Sequence, residues 1–259
     1  MIAAHPGDFR NWRQVRPDRV ARWRLWGNSV RFRWGHHGWG VFGPVWWTSH
    51  HPSFCGWHHW RHWNRHRWNF WWTVPTFRGL TQWFTWRAPT VVWAQPIFYD
   101  FGPGGNVVFQ DNRVFINGED IGTIEDFSQS AAELATVAAP ESEDQADAAE
   151  WMPLGTFAGS TNEKEGEPTR FVQLAVNREG IISGTYFNAQ TDVAQVVLGQ
   201  VDSQTQRVAM RLGEDENIVV ETGLYNLTLE EAPVLVHFGP DRYEFFLLVR
   251  MYEPEADTE

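Results

Sequence analysis

Side chains that can bind a transition metal are concentrated in the first third of the chain. Six histidines and the single cysteine lie between residues 50 and 66, namely His50, His51, Cys55, His58, His59, His62 and His66. If this segment is helical, His58, His62 and His66 share one face, because residues four apart are neighbours on a helix. Imidazoles placed in this way can chelate zinc or copper. A metal site is therefore one hypothesis. The alternative is that the histidines reflect only a biased composition, tolerated on a loosely packed surface. The sequence implies no other cofactor.

Tryptophan and arginine are interleaved with these histidines, and they favour a different kind of contact. Guanidinium groups form paired hydrogen bonds with carboxylates or phosphates and stack on aromatic rings. Tryptophan also prefers membrane–water interfaces and stacks on flat rings. The candidate binding residues of this kind are Trp57, Trp60, Arg61, Trp63, Arg65 and Trp68. They predict binding to an anionic envelope surface, a glycan or a protein partner, and the arginines would oppose a bound cation by charge.

The charge of the chain is divided sharply between its two parts. Residues 1–93 contain 13 arginines, no lysine and two acids, for a net charge of +11 with histidine neutral. The remainder contains 8 basic and 30 acidic residues, for a net charge of −22. Such asymmetry predicts either a polyanionic partner for the basic part or docking of the two parts on each other. We expect no nucleic-acid partner, because a general electrostatic tail would normally contain lysine as well.

The elements that would hold these residues are short. A helix is predicted from Pro17 to Trp26, and glycines and prolines between Gly35 and Gly56 then favour loops. A second short amphipathic helix is expected from Thr76 to Trp86. Because leucine, isoleucine and valine are scarce here, we do not expect the tryptophans to fill a regular core. Residues 1–98 are therefore predicted to form a basic tract that is partly irregular or disordered.

Residues 99–139 contain the first ordinary globular pattern. Two short apolar runs, 106–110 and 113–116, flank Asp111 and Asn112, which tolerate positive φ and predict a β-hairpin. Thr123 can cap a helix over about residues 124–138, with acids in its first turn. Residues 140–150 are predicted to be an acidic linker, and residues 254–259 an acidic tail.

From residue 151 to residue 253, apolar and polar residues alternate with a period of two, as in half-buried antiparallel strands. Eight strands are predicted, at 154–159, 170–176, 180–187, 193–201, 206–212, 217–223, 233–239 and 243–251. Loops of hairpin length favour an up-and-down meander that forms a small barrel or a sandwich. The predicted fold class is mainly β, and such a barrel is either filled by its side chains or holds one small ligand.

This β domain offers little recognisable chemistry. It contains no nucleophile elbow, phosphate-binding loop or zinc-protease pattern, so we predict no enzymatic activity and no catalytic residue. His237 is expected to be a surface or cross-strand residue. Acids such as Glu230 and Glu231 are expected to be solvated, with binding to the basic tract as the alternative.

Several segments of the chain resemble a family of uncharacterised cell-surface proteins of planctomycete bacteria, which have a His- and Trp-rich front and a β-rich rear. These segments are 99–102, 106–109, 114–118, 151–155, 174–177, 221–228 and 233–239. The resemblance implies an envelope location and carries no site residue. No leader is visible at the first residues, so a cytoplasmic location is the alternative, and no apolar run is long enough to span a membrane.

Together these observations predict a non-enzymatic envelope or secreted protein whose basic aromatic tract binds a surface or partner. Metal binding by the tract and small-ligand binding in the barrel are the alternatives. The sequence leaves the ligand and the oligomeric state open.

Overall fold

The computed structural model describes residues 16–34, 41–43, 45–50, 68–86, 93–138, 144, 148–161 and 167–253. Within them lie three helices, α1 (Pro17–Trp34), α2 (Phe77–Trp83) and α3 (Ile124–Leu134), and three short 3₁₀ helices, at Trp46–Thr48, Trp68–Trp72 and Asn226–Thr228. The predictions made for residues 51–67, for most of the linker and for the acidic tail lie outside the described residues.

Eight antiparallel strands form a closed barrel in chain order. They are β4 (Trp151–Ser160), β5 (Arg170–Asn177), β6 (Ile181–Asn188), β7 (Val193–Val201), β8 (Arg207–Leu212), β9 (Ile218–Gly223), β10 (Glu231–Phe238) and β11 (Tyr243–Arg250). The last strand pairs with the first of the eight, placing Leu247 opposite Ser160 and Val249 opposite Ala158. The predicted strands and the mainly β class are confirmed, and this closing pair makes the fold a barrel rather than a sandwich.

Alternation along each strand separates the inside of the barrel from its outer wall. In β5, Val172 and Leu174 belong to the central apolar cluster inside the barrel, whereas Phe171 packs in a second cluster on the outer wall. The same period of two recurs in the other strands, because successive side chains point to opposite faces of a sheet. The barrel therefore has an apolar interior and a wall that other elements must cover.

One end of the barrel is closed by α2 and the aromatic residues that follow it. Leu80 of α2 is fully buried in the central cluster, and Trp83, Phe84, Trp86 and Trp93 pack against it. Hydrogen bonds hold these rings in place: Trp83 Nε1 donates to the carbonyl of Val176 at 3.2 Å, and Trp93 Nε1 donates to that of Ser203 at 2.7 Å. We call these five residues the floor of the barrel.

Other tryptophans of the N-terminal tract cover the outer wall. Trp23, Trp46, Trp47 and Trp72 are buried in one cluster with wall residues such as Phe187. The expectation that the tryptophans would not fill a regular core is therefore wrong for these residues. The tract has few aliphatic side chains of its own, but the barrel wall supplies more, and burial against that wall stabilises the rings.

Helix α1 extends to Trp34, eight residues beyond the predicted end at Trp26. Its glycine, Gly27, lies inside the helix because the helix packs there against the barrel, and a side chain at Gly27 would collide with Glu231. Local propensity alone disfavours glycine in a helix. Tertiary packing therefore determines the length of α1.

A three-stranded sheet and α3 cover another part of the wall. The predicted hairpin is confirmed as β1 (Val107–Gln110) and β2 (Arg113–Ile116), and a third strand, β3 (Glu119–Thr123), was not predicted. Helix α3 begins after Thr123, whose side chain caps it as expected, and it ends at Leu134, four residues before the predicted end. Phe127 of α3 joins Leu235 of the barrel in a shared apolar cluster.

Among the described helices, none is both long enough and apolar enough to span a bilayer.

Candidate functional site

The barrel interior contains an open cavity at the end opposite the floor. Its volume is about 490 Å³, which falls within the range of about 300–1,000 Å³ that is typical of small-molecule sites. The cavity opens between the chain reversals at 189–192, 213–217 and 239–242, and Asn188, Thr191 and Phe238 line it at that end. We call this opening the mouth.

Side-chain size explains why the barrel is filled at one end and open at the other. Near the floor the interior carries large side chains, among them Leu154, Phe157, Leu174 and Ile182, all fully buried. Towards the mouth, valine predominates. The apolar side chains that line the cavity are Val172, Val193, Val197, Met210, Leu212, Ile218, Val220, Val234, Val236, Phe238, Phe246 and Leu248. Branched but short side chains from opposite strands do not meet across the barrel, so space remains between them.

The apolar lining is continuous around the barrel because of strand register. Met210 on β8 lies opposite Val220 on β9, and Val220 lies opposite Val236 on β10. These three residues form a level row on one side of the cavity. Such a wall offers a ligand only apolar contacts, which favour burial of a hydrocarbon surface.

A band of polar side chains lies above this wall, at the mouth. Arg170 lies opposite Asn188 across β5 and β6, and Tyr186 lies opposite Gln195 across β6 and β7. All four line the cavity. Burial raises the pKa of Tyr186, while the charge of Arg170 and a hydrogen bond from it act in the opposite direction. The guanidinium carbon of Arg170 also lies 5.8 Å from the ring centroid of Phe246.

The rim of the mouth carries exposed acids. They are Asp192, Glu214, Asp215, Glu216, Asp241 and Glu244, and Glu244 also lines the cavity. Glu244 is paired with Arg242 at 3.4 Å, on the solvent side. The rim is thus negative, whereas Arg170 places a positive charge just inside it.

Of the predicted metal ligands, His50 lies within the described residues, beside the mouth. Its Nε2 lies 2.9 Å from Asp192 Oδ1, its Nδ1 lies 3.0 Å from the carbonyl oxygen of Trp46, and its ring stacks on Trp46 with the centroids 4.5 Å apart. Within the described residues, no group of three or more His, Cys, Asp or Glu side chains is placed to hold a metal ion. His51, Cys55, His58, His59, His62 and His66 lie outside those residues, so the metal hypothesis stays a prediction.

Ser49, His50 and Asp192 form a chain of close polar contacts at the edge of the mouth. Ser49 Oγ lies 2.9 Å from His50 Nδ1. The same nitrogen faces the carbonyl oxygen of Trp46, which can only accept a hydrogen bond. The three residues fasten the tract to the rim of the mouth.

Two arginines of α1, Arg19 and Arg31, form ion pairs and hydrogen bonds with other parts of the same chain. Arg31 Nη2 lies 2.6 Å from Glu231 Oε1, and Arg31 Nε donates to the carbonyl of Arg250 at 2.9 Å. Arg19 Nε lies 2.7 Å from a carboxylate oxygen of Asp100. Helix α1 is thus docked on the acidic part of the chain. Glu231 is only 2% exposed, so its assignment as a solvated loop acid is wrong and the alternative, pairing with the basic tract, is confirmed.

Binding of the tract to an anionic surface, glycan or protein partner stays a prediction. Trp57, Trp60, Arg61, Trp63 and Arg65 lie outside the described residues, and Trp68 begins a 3₁₀ helix that packs along β4.

His237 is not a surface residue. It is 1% exposed, and its Nε2 lies 3.2 Å from Glu221 Oε2 on the neighbouring strand. Arg207 Nε donates to the other oxygen of Glu221 at 2.8 Å, and the Arg207 guanidinium reaches Ser130 of α3. Burial alone would raise the pKa of Glu221, but Arg207 and His237 lower it below its usual value. The cross-strand position was predicted correctly, whereas the cover provided by α3 was not.

Comparison of the chain with protein-family models, curated proteins and solved structures gives no match. The resemblance to planctomycete cell-surface proteins therefore stays a prediction. The polar residues of the cavity, Arg170, Tyr186 and Gln195, were not predicted from the sequence. The alternation of side chains along a strand predicts that these residues face inward, but it predicts the same for every second residue of each strand. It therefore does not distinguish cavity residues from packed ones.

Proposed function

We propose that this protein binds one small, largely apolar molecule in the barrel cavity and does not transform it chemically. The observation that carries this proposal is the cavity of about 490 Å³, which is open at the mouth and lined mainly by apolar side chains. An apolar ligand that enters it exchanges water contacts for contacts with valine, methionine and leucine. That exchange is the principal source of affinity in small-molecule sites.

The surroundings of the cavity favour a preformed site. The interior below it is packed by Leu154, Leu174 and the floor, and the strands around it are joined by continuous pairing in the closed barrel. A closed barrel cannot widen or collapse without breaking strand pairs. A ligand therefore meets a site that is already shaped, which reduces the ordering cost of binding.

The chemistry of the lining supports binding rather than catalysis. The described lining residues include no serine, cysteine or histidine that could act as an activated nucleophile or base. The pKa of Tyr186 is raised by burial, which keeps its phenol protonated. Glu244 is the acid of the lining, and it lies exposed at the rim beside Arg242.

The test uses a neutral apolar fluorophore, N-phenyl-1-naphthylamine, whose emission rises in an apolar site. We expect saturable binding of one probe per chain to the wild-type protein. Val220→Trp places a large ring in the cavity, and we expect it to weaken binding at least about tenfold by occupying the space that the probe needs. The matched control is Val45→Trp, because Val45 is 82% exposed and does not line the cavity.

Both variants must retain the β-sheet signal of the wild type in far-ultraviolet circular dichroism. If folded Val220→Trp binds the probe as tightly as Val45→Trp does, the probe does not occupy the cavity and the proposed function is wrong.

A further inference from the structure

Both charged side chains of the described cavity lining already have partners within the chain. They are Arg170 and Glu244. Arg170 donates a hydrogen bond to the hydroxyl oxygen of Tyr186, and Glu244 pairs with Arg242 at 3.4 Å. A charged head group would therefore leave water without gaining a counter-charge of its own, and burial of an unpaired charge is costly.

The uncharged polar side chains of the lining divide into two pairs. Asn188 and Thr191 stabilise the turn after β6: Asn188 Oδ1 accepts from the backbone N–H of Gln190 at 3.0 Å, and the Thr191 hydroxyl donates to the carbonyl of Asn188 at 3.5 Å. Tyr186 and Gln195 form the other pair and are direct partners on neighbouring strands. Directly opposed side chains start about 4.5–5.5 Å apart on the same face of a sheet. One small group at the mouth can therefore contact both.

This second pair offers hydrogen bonds and no charge. The hydroxyl oxygen of Tyr186 accepts from Arg170, so the phenol can donate its own proton to another group. Burial raises the pKa of Tyr186, which keeps that proton in place. The Gln195 carboxamide has N–H donors and a carbonyl acceptor, and it packs beneath Gly213 at the mouth, where an added Cβ would lie 2.7 Å from Gln195 Nε2.

Given the proposed function, we infer that the ligand is a neutral amphiphile. Its uncharged carbonyl or hydroxyl head accepts a hydrogen bond from Tyr186 and forms another with Gln195, and its apolar chain lies against the row formed by Met210, Val220 and Val236. Such a head exchanges hydrogen bonds to water for hydrogen bonds to these two side chains, which offsets the loss of its hydration.

The acids around the mouth disfavour an anionic head. Asp192, Asp215 and Glu244 are exposed there, and they repel an approaching carboxylate over about one Debye length, about 8 Å at physiological ionic strength. An ammonium head would be attracted to them, but exposed ion pairs contribute little to binding or stability. A neutral head group is not subject to either effect.

The depth of the lining favours a chain of medium length. Along β10 the lining extends from Phe238 at the mouth to Val234, about 13 Å of strand. An eight-carbon chain can lie along this depth with its head group at the mouth.

The experiment compares octanamide, octanoate and octylamine by calorimetric titration at neutral pH, because these probes share a chain length and differ in the charge of the head. We expect octanamide to bind the wild-type protein at least about tenfold more tightly than either charged probe. Tyr186→Phe and Gln195→Leu should each weaken octanamide binding about three- to tenfold, because each removes a hydrogen bond to the head. Both variants should bind N-phenyl-1-naphthylamine within about twofold of the wild type, since the apolar wall is unchanged.

Tyr252→Phe and Gln190→Leu are the matched controls, because both residues are exposed and outside the cavity lining, and neither should change octanamide affinity. Retained binding of N-phenyl-1-naphthylamine reports that the cavity of each variant is intact. Binding of octanoate or octylamine as tight as that of octanamide overturns the neutral head group while the proposed function stands. So does octanamide binding that neither Tyr186→Phe nor Gln195→Leu weakens, and so does failure of octanamide to bind when N-phenyl-1-naphthylamine binds. If the wild type does not bind N-phenyl-1-naphthylamine, the proposed function itself fails.

Discussion

The two ends of the barrel are built from the same eight strands and yet have opposite character. At the floor end, Leu154 and Leu174 pack with the aromatic rings of the N-terminal tract and leave no exposed surface on either leucine. At the mouth end, valines line an open cavity, and polar side chains such as Arg170 and Tyr186 face into it. Packing at the floor end stabilises the fold, whereas the mouth end contains the space that the proposed ligand would occupy.

The same contrast separates the charged residues of the covered outer wall from those of the mouth. Glu221 is fully buried between Arg207 and His237 under α3, whereas Glu244 is exposed at the rim. A buried charge that loses its partner is strongly destabilising, while an exposed ion pair contributes little. Variants of the covered parts should therefore change stability, and variants of the mouth should change ligand affinity.

The largest effect is expected at Glu221. Glu221→Gln leaves the buried guanidinium of Arg207 without its counter-charge and should lower the free energy of unfolding by about 3–5 kcal/mol. Glu244→Gln is the matched control, and we expect a change below about 1 kcal/mol because the Arg242 pair is exposed. Urea unfolding of both variants measures the difference. Equal losses of unfolding free energy in the two variants would show that a charge on the covered outer wall contributes no more to stability than a charge at the rim.

The next prediction compares substitutions of two residues of β5 whose side chains both face the inside of the barrel. Leu174→Ala should cost about 2–5 kcal/mol, because it opens a hole in a packed region. Val172→Ala should cost about 1.5 kcal/mol, from the two methyl groups removed, since this side chain already borders the cavity. Chemical unfolding gives both values, and the affinity for N-phenyl-1-naphthylamine should change only for Val172→Ala. A cost for Val172→Ala as large as that for Leu174→Ala would mean that the mouth end is packed as tightly as the floor end.

The last prediction concerns the pH dependence of stability at the buried carboxyl of Asp100. Burial raises the pKa of Asp100 from 3.8 to about 7, although Arg19 acts in the opposite direction. The folded chain then binds this proton more tightly than the unfolded chain, so the contribution of Asp100 is complete below about pH 4 and decreases as the pH rises towards 7. Asp100→Asn should remove this component, which amounts to about 4 kcal/mol at most over the interval, since the shift is about 3 pKa units.

Unfolding by urea at several pH values between 4 and 7 tests this, with Asp120→Asn, a variant of an exposed carboxyl on β3, as the control. If wild-type stability instead rises more steeply with pH than that of Asp100→Asn, pairing with Arg19 outweighs burial and the assigned direction is wrong.

Much of the β fold could be predicted from local pattern. Alternation placed β7 at residues 193–201, the same bounds as in the structure. The two positive-φ residues Asp111 and Asn112 marked the first hairpin turn. Such features depend on a few neighbouring residues, so a single sequence contains them. β3 was missed because its residues, Glu119 to Thr123, carry acids and a glycine and acquire their strand conformation by pairing with β2.

The candidate site was less accessible to sequence reasoning. A cavity depends on the summed volumes of side chains from strands far apart in the chain, and on whether another element fills the remaining space. The floor is an example, because Leu80 and Trp93 come from the tract that the sequence indicated to be partly irregular. His237 is another, since its strand position was correct while its burial depends on α3.

Local sequence was enough to predict the alternation of inward and outward side chains, the positions of most turns and the separation of a basic front from an acidic rear. These properties follow from the period of a strand, the φ angles that a residue tolerates and formal charge, all of which are local. Contacts between distant segments determine that β11 pairs with β4 and that the tryptophans of the tract cover the wall and close one end. They also determine that the described residues leave a cavity at the other end. Each of those outcomes depends on contacts between distant segments, where shape and volume rather than pattern determine which surfaces meet.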